Sequence, residues 1–438
     1  MARTWKTFQT GLAGESLLRV ADWGQQHFQT CCLLNGNGFT SDKYTSFDQV
    51  IALGVAAECF GDETDAFASL KAFSDQYDDW LFGFLSYDLK NQLESLTSSH
   101  FDGIGMPLMH FFLPVIVVMP KEEGVQIGCL PGHGRFSDPD RVWKELMAHE
   151  PEGDPRVGQA GNPGLQVRAR VPRRDYLKNL GAIKNHIQQG DMYEMNYCVE
   201  FYSENALVDP LLVYQSLNLQ SPTPFSAYYA LGSKFLMGAS PERFLKKRGQ
   251  MLVSQPIKGT IARGGDAKSD ARLAATLLND PKERSENVMI VDLVRNDLSR
   301  SARKGSVKVK ELFGIYPFRQ VHQMISTVVS DLRPDCHFVD ALRMAFPMGS
   351  MTGAPKVRAM QLIEQYEVTK RGLYSGAVGY ISPTKDFDFN VVIRSILYNA
   401  ATRYLSFMAG SAITAGSQPE MEYDECLLKA KAMRKVLE

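Results

Sequence analysis

Asn279-Asp280-Pro281-Lys282-Glu283-Arg284-Ser285-Glu286-Asn287-Val288-Met289-Ile290-Val291-Asp292-Leu293-Val294-Arg295-Asn296-Asp297 is the stretch on which the fold of this chain turns. Asp280 suits a helix N-cap, Pro281 the first helical position, and Glu283 the far corner of a capping box. At about 100° per residue, Glu283, Glu286, Ile290, Leu293 and Asp297 fall within roughly 80° of one another. Carboxylates therefore extend an apolar stripe instead of opposing it. Either they emerge at an exposed helix start, where the dipole favours them, or they are gathered for a ligand. The C-terminal segment repeats the arrangement. Ser417-Gln418-Pro419-Glu420 reads as a second capping box, and Glu422 and Glu425 follow at i, i+3 on the face of Lys429, Met433 and Val436. Two such acid pairs could converge on one hard divalent cation of the Mg²⁺ type, or both could be solvated helix starts.

Working outward, strand-like runs dominate: Phe111–Met119, Val125–Cys129, Glu200–Tyr202, Ala227–Ala230, Val391–Ile393 and Tyr404–Met408. Helical patterns fall at Arg174–Gln189, Val357–Gln365 and a stretch ending near His149. Several strands follow one another with no helix between, so the sheets are expected to be largely antiparallel. Residues 150–164 are rich in Pro and Gly and lack apolar periodicity, which reads as a loop or linker. The division expected is 1–150, a linker at 151–165, and 166–438.

The 438 residues carry 48 Lys and Arg against 49 Asp and Glu, a formal charge of -1. That balance leaves no footprint for nucleic acid or an anionic membrane, though a small anion needs only local charge. Composition is globular, with 44% hydrophobic and 22% charged residues. The N-terminus shows no apolar signal segment, and Phe111–Met119 is too short to span a bilayer. Seven cysteines, with no Cys-x-x-Cys, point to reduced thiols in the cytoplasm, and eight scattered histidines argue against zinc.

Three glycine-rich turns (Met348–Lys356, Gly372–Gly379 and Ala409–Ala412) could offer backbone amides to an anion, but each taken alone reads better as a plain tight turn. None matches a Walker loop or a dinucleotide fingerprint. Gln255-Pro256-Ile257-Lys258-Gly259-Thr260 places a lysine at a neutral strand end; desolvated, it would be a nucleophile. Ala239-Ser240-Pro241-Glu242 supplies a proton donor whose distance from Lys258 the sequence leaves open.

Taken in order, Ser240-Pro241-Glu242, Pro256–Thr260, Glu283–Asp297, Thr352-Gly353-Ala354-Pro355-Lys356, Tyr374–Tyr380, Ile393-Arg394 and Glu422-Tyr423-Asp424-Glu425 resemble the chorismate-utilising enzymes. The resemblance is strong from about residue 170 onward. Before that it rests chiefly on Gly83-Phe84-Leu85-Ser86-Tyr87-Asp88. It implies an α/β fold of the α+β type, an anthranilate-synthase component I-like sandwich of antiparallel sheets with helices outside. The N-terminal 150 residues would contribute to that sandwich, and 166–438 would form the chorismate-binding catalytic region. It implies Mg²⁺ held by Glu283, Glu286, Glu422 and Glu425. It implies substrate binding by Thr260, Thr352, Gly353, Tyr374, Arg394, Gly410, Ser411 and Lys429.

Lys258 selects a branch. The motif resembles the Pro-Ile-Lys-Gly-Thr of aminodeoxychorismate synthases, where anthranilate synthases resemble Pro-Ile-Ala-Gly-Thr. The resemblance thus implies a covalent lysine intermediate, with Glu242 as acid or base, and amination of chorismate at C4 for 4-aminobenzoate and folate. Ammonia would come from a separate glutamine amidotransferase subunit. Anthranilate synthase component I is the alternative within the family, and a ligand-binding relative without turnover the alternative outside it. Four departures stand out. Gln323 replaces the family His, with His322 beside it; Ala412 replaces a Gly; Glu194 replaces the usual Gln of aminating members; and Ser221-Pro222-Thr223-Pro224-Phe225 differs from the tryptophan-pocket motif.

Overall fold

The computed structural model describes residues 2–9, 16–39, 43–121, 124–150 and 165–438. The expected linker at 151–165 lies outside the described residues except for its last position. Among the described residues, twenty strands are joined edge to edge into one hydrogen-bonded network, and every strand ladder is antiparallel. The two long strands Gln49–Cys59 and Met109–Lys121 carry the network from one half to the other. Their ladder shifts register between Val55 and Ala57, opposite Pro114, which supplies no amide. There the sheet bends and its two halves face each other. Phe84 of one half stacks edge-on against Tyr229 of the other at 5.1 Å, within a core that also holds Phe82, Phe112 and Tyr380.

Each outer face is closed by helices. Ser16–His27, Arg173–Gln188, Pro210–Gln220 and Pro419–Leu437 cover one half. Ala66–Gln76, Pro281–Ser299 and Phe338–Ala345 cover the other. This is the expected sandwich of antiparallel sheets with helices outside. Segments before the linker are woven into it: Thr30–Asn35 pairs with Phe225–Leu231, and Leu81–Leu85 pairs with Ala377–Ile381.

Three local expectations are corrected. Val391–Ile393 is not a strand: Phe387–Val391 ends there, Arg394 takes a left-handed φ of 49°, and a new strand starts at Ser395. The helix at Pro281 is capped by Asp280 through the amides of Lys282 and Glu283, but the reciprocal half of the box is missing. The Asp280 amide goes instead to the Leu277 carbonyl, which frees the Glu283 carboxylate. The helix at Pro419 has no side-chain cap at all, because its N-cap is Gln418 and the Ser417 hydroxyl serves the turn at Thr414.

Candidate active site

Helices Pro281–Ser299 and Pro419–Leu437, one from each half, meet over one end of the sandwich. Between them and the sheet lies a cavity of about 580 Å³. Its walls bring together Glu242, Lys258, Thr260, Glu283, Glu286, Tyr374, Arg394, Gly410, Glu425 and Lys429. These residues span almost 190 positions of sequence, and only the antiparallel weave makes them neighbours.

The lysine wall is built first by the backbone. Lys258 lies in the strand Ile257–Ala262, whose ladder with Val321–Asp331 slips between Ile257 and Thr260. Gly259 occupies the slip with a φ of 97°, and a Cβ there would stand 3.1 Å from Glu283 Oε2. Only glycine meets both demands, so Lys258 is held against the carboxylate helix. Its Nζ lies 2.7 Å from Glu194 Oε1. Glu194, not Glu242, is therefore the acid that touches the lysine. Burial pulls the lysine's pKa down, but Glu194 and Glu286 outweigh it and hold the ammonium above its ordinary value. The sequence-based idea that burial would leave a readily deprotonated amine is thus corrected for the free protein.

Glu242 is buried, and burial pushes its carboxyl up to about 7, with Ser350 and Lys258 pulling the other way. Glu286 is likewise pushed to about 7, chiefly by burial, against the pull of Lys258 and Lys282. Burial raises Glu283 as well. Glu425 moves the other way: burial raises it, but Lys429, at 2.7 Å, and Lys282 bring it below its ordinary value.

The four predicted metal ligands sit on the two facing helix starts, with the Lys282 ammonium between them, 3.7 Å from Glu286 and 3.3 Å from Glu422. Among the described residues, no three acidic, His or Cys side chains stand close enough together to hold a metal ion. The donor chemistry nevertheless fits a hard cation. Glu286 Oε1 and Glu422 Oε2 are buried oxygens without hydrogen-bond partners, which a cation would satisfy.

Arg394 lines the cavity, and its side chain makes no hydrogen bond or ion pair among the described residues; burial lowers its pKa against the pull of Glu425. Lys429 Nζ also reaches the Gly410 carbonyl at 3.0 Å. The Tyr374 hydroxyl rests 3.5 Å from Cys198 Sγ.

Three predicted substrate-binding residues do not line the cavity. The Thr352 hydroxyl is spent on the carbonyls of Met348 and Gly349. At Gly353 a Cβ would lie 2.1 Å from the Glu194 carbonyl, so its glycine permits close packing against the strand Glu194–Ser203. Ser411 points away from Gly410 and Ala412, as strand alternation requires, toward Tyr176.

Two acids on the quoted helix thus part company. Glu286 faces the cavity, whereas Asp297 is paired with Lys356 at 2.7 Å and is structural. The same pair consumes Lys356 of the glycine turn. Gln323 lines the cavity, while His322 faces the opposite way and meets Asp270 at 2.8 Å.

Sequence reasoning missed the ion pair of Glu194 with Lys258 and the bridging position of Lys282. A signal for the first exists: polar Glu194 and Asn196 alternate in the otherwise buried strand Glu194–Ser203. Period-two polarity in a buried strand marks a face turned toward a site.

Residues 37–435 match the family model described as chorismate binding enzyme. The chain is 34% identical over 356 residues to aminodeoxychorismate synthase component 1 of Escherichia coli (strain K12), covering 81% of this chain and 76% of that one. It is equally 34% identical, over 359 residues, to anthranilate synthase component 1 of Thermus thermophilus, covering 81% and 77%. A probable chloroplastic aminodeoxychorismate synthase of Oryza sativa subsp. japonica is 42% identical over 268 residues, 60% of this chain but only 30% of the rice protein. Among solved structures, anthranilate synthase component I from Streptococcus pneumoniae superposes with a TM-score of 0.76 at 27% identity, over 88% of this chain and 91% of that one. The chain belongs to the chorismate-binding enzymes.

Proposed function

We propose that this protein is an aminodeoxychorismate synthase component I, converting chorismate and ammonia to 4-amino-4-deoxychorismate through a covalent adduct on Lys258. The product serves 4-aminobenzoate and folate synthesis. The observation that carries the reading is the largely buried Lys258 in a cavity wall shared with Glu242, whose carboxyl burial pushes up to about 7.

Chorismate is a dianion. Arg394, whose side chain has no hydrogen bond or ion pair among the described residues, and Lys429 supply cations for its carboxylates, with Tyr374 and Gly410 of the strand Tyr404–Ile413 beside them. Neutral Lys258 forms a bond to C2. The ring double bonds shift, and the C4 hydroxyl leaves with its bonding pair, taking the Glu242 proton and departing as water. Ammonia then bonds to C4, the double bonds return, and the lysine amine leaves C2. Held by Glu283, Glu286, Glu422 and Glu425, Mg²⁺ would supply charge that neutralises the ring carboxylate.

The component 1 names of the relatives support a second component, here a glutamine amidotransferase that delivers ammonia. The seven unpaired cysteines accord with a reducing cytoplasm. Amination at C2 to give anthranilate is the competing reading, favoured by the equal match to the Thermus enzyme. Incubation with chorismate, ammonium salt and Mg²⁺, with products identified by mass spectrometry, separates the two. 4-Amino-4-deoxychorismate supports the proposal; anthranilate alone overturns it in favour of the alternative; no turnover assigns the chain to non-catalytic relatives.

A further inference from the structure

We propose that Glu194 is the proton acceptor for Lys258, holding the resting ammonium in place and taking the proton that must leave before the amine attacks. The inference rests on the reading of Lys258 as the nucleophile and adds a residue to it.

Glu194 is 1% exposed and lies behind Lys258, which separates it from the cavity. One carboxylate oxygen bonds Lys258 Nζ at 2.7 Å, and the other is buried with no partner among the described residues. A buried carboxylate is costly unless its charge is used, and here the lysine is its one ion-pair partner among the described residues. The backbone fixes it on both sides. Glu194 pairs with Ala354, and the next residue, Met195, pairs with Gly353 and Ile413. Glu194 therefore cannot drift from the lysine without breaking two ladders.

Lys258 is also faced by Glu242, from the turn after the strand Lys234–Ser240, by Glu286 from the helix Pro281–Ser299, and more remotely by Glu425 from the C-terminal helix. Of these only Glu194 is within hydrogen-bond distance of Nζ. Glu242 is committed as the donor to the leaving hydroxyl, and Glu286 is turned to Lys282.

The step balances. The Lys258 ammonium transfers one proton to Glu194, giving a neutral amine and a neutral carboxylic acid. The amine's lone pair forms the bond to C2, while the C4 hydroxyl takes the Glu242 proton and leaves as water. After ammonia has displaced the lysine, the product's C4 ammonium reprotonates Glu242, and Glu194 returns its proton to Lys258.

Glu194→Gln keeps the shape and a hydrogen-bonding group but cannot accept the proton. The expected result is a fall in kcat of about 100- to 10,000-fold with KM for chorismate unchanged. On the acid side of the Glu242 titration the parent's rate is flat with pH, while Glu194→Gln rises about tenfold per pH unit, because bulk solvent must now deprotonate the lysine. In the resting protein, Lys258 of Glu194→Gln is acetylated faster by acetic anhydride, having lost its counter-charge. Glu194→Asp keeps the base and the parent's pH profile at reduced rate.

Parent-like kcat in Glu194→Gln, or unchanged acetylation of Lys258, overturns the proposal. If Glu194→Gln does not fold, the Asp variant decides: a rise with pH instead of the parent's profile overturns it. Lys258→Ala run in parallel keeps the two readings apart. Parent turnover in Lys258→Ala sinks the lysine mechanism itself, whereas its collapse with an unaffected Glu194→Gln sinks only the role of Glu194.

Discussion

Replacing Arg394 by Met should weaken chorismate binding strongly and cost the fold nothing. Arg394 is a cavity cation whose side chain makes no hydrogen bond or ion pair among the described residues, and its backbone sits at a left-handed φ of 49°. Strained backbone is retained where the surroundings hold it for a purpose. A charge-assisted hydrogen bond to a carboxylate contributes about 1.5–3 kcal/mol. At about 1.4 kcal/mol per tenfold, its loss weakens chorismate binding roughly 10- to 150-fold. Methionine keeps most of the apolar stem and inherits the same backbone strain, so the strain cancels in the comparison. What the folded protein gains is release from a desolvated charge whose pKa burial has already lowered. The thermal midpoint should therefore hold or rise. The assay pairs a fluorescence titration with chorismate, without ammonia, against thermal unfolding of both proteins. Affinity essentially equal to the parent's would refute contact between Arg394 and the substrate. A clear drop in the midpoint would show that Arg394 holds the protein together instead.

Glu242→Gln tests the raised carboxyl. Burial keeps Glu242 protonated to about pH 7 in the folded protein, whereas the unfolded chain releases that proton near pH 4.5. Folded protein therefore loses stability as pH rises between those values, by up to about 3 kcal/mol. Glu242→Gln escapes the loss, so it unfolds at higher temperature than the parent at pH 8 and at about the same temperature at pH 4, while parent turnover declines above pH 7. For the metal, calorimetric titration should show Mg²⁺ binding to the parent, and Glu286→Gln or Glu425→Gln should weaken it by at least ~10-fold; equal affinity in all three would remove these acids from the site. In Lys258→Ala, C2 is open to ammonia itself, so slower turnover with a shift toward ortho-aminated product is expected by mass spectrometry; unchanged product at the parent rate would contradict the role of the lysine.

Much of this architecture was legible because burial writes itself as period. The apolar run at 111–119 became the centre of the strand Met109–Lys121, the run at 404–408 became the first half of Tyr404–Ile413, and the capped Pro281 became a helix start. The run Val391–Ile393 misled because apolar residues can line a chain reversal as well as a strand; what decides is the positive φ at Arg394, which no pattern of hydrophobicity encodes. The capping boxes failed for a related reason. The residue pattern permits a reciprocal hydrogen bond, but at Glu283 a cavity competes for the same carboxylate. Of the acids on the quoted helix, spacing could not separate Glu286 from Asp297, since the distinction lies in Lys356, about sixty positions away. Glu194 was visible as a departure from family pattern, yet its meaning needed the 2.7 Å contact with Lys258, which comes from a strand far along the chain.

The most direct test of the account is the mass of the intact protein after incubation with chorismate and Mg²⁺ in the absence of ammonia. Bond formation at C2 with loss of the C4 hydroxyl predicts a gain equal to one chorismate less one water, carried after proteolysis on the peptide containing Lys258 and discharged by ammonium salt as 4-amino-4-deoxychorismate. An enzyme that turns over chorismate and ammonia, yet under these conditions gains no mass or carries it on another residue, would contradict the account.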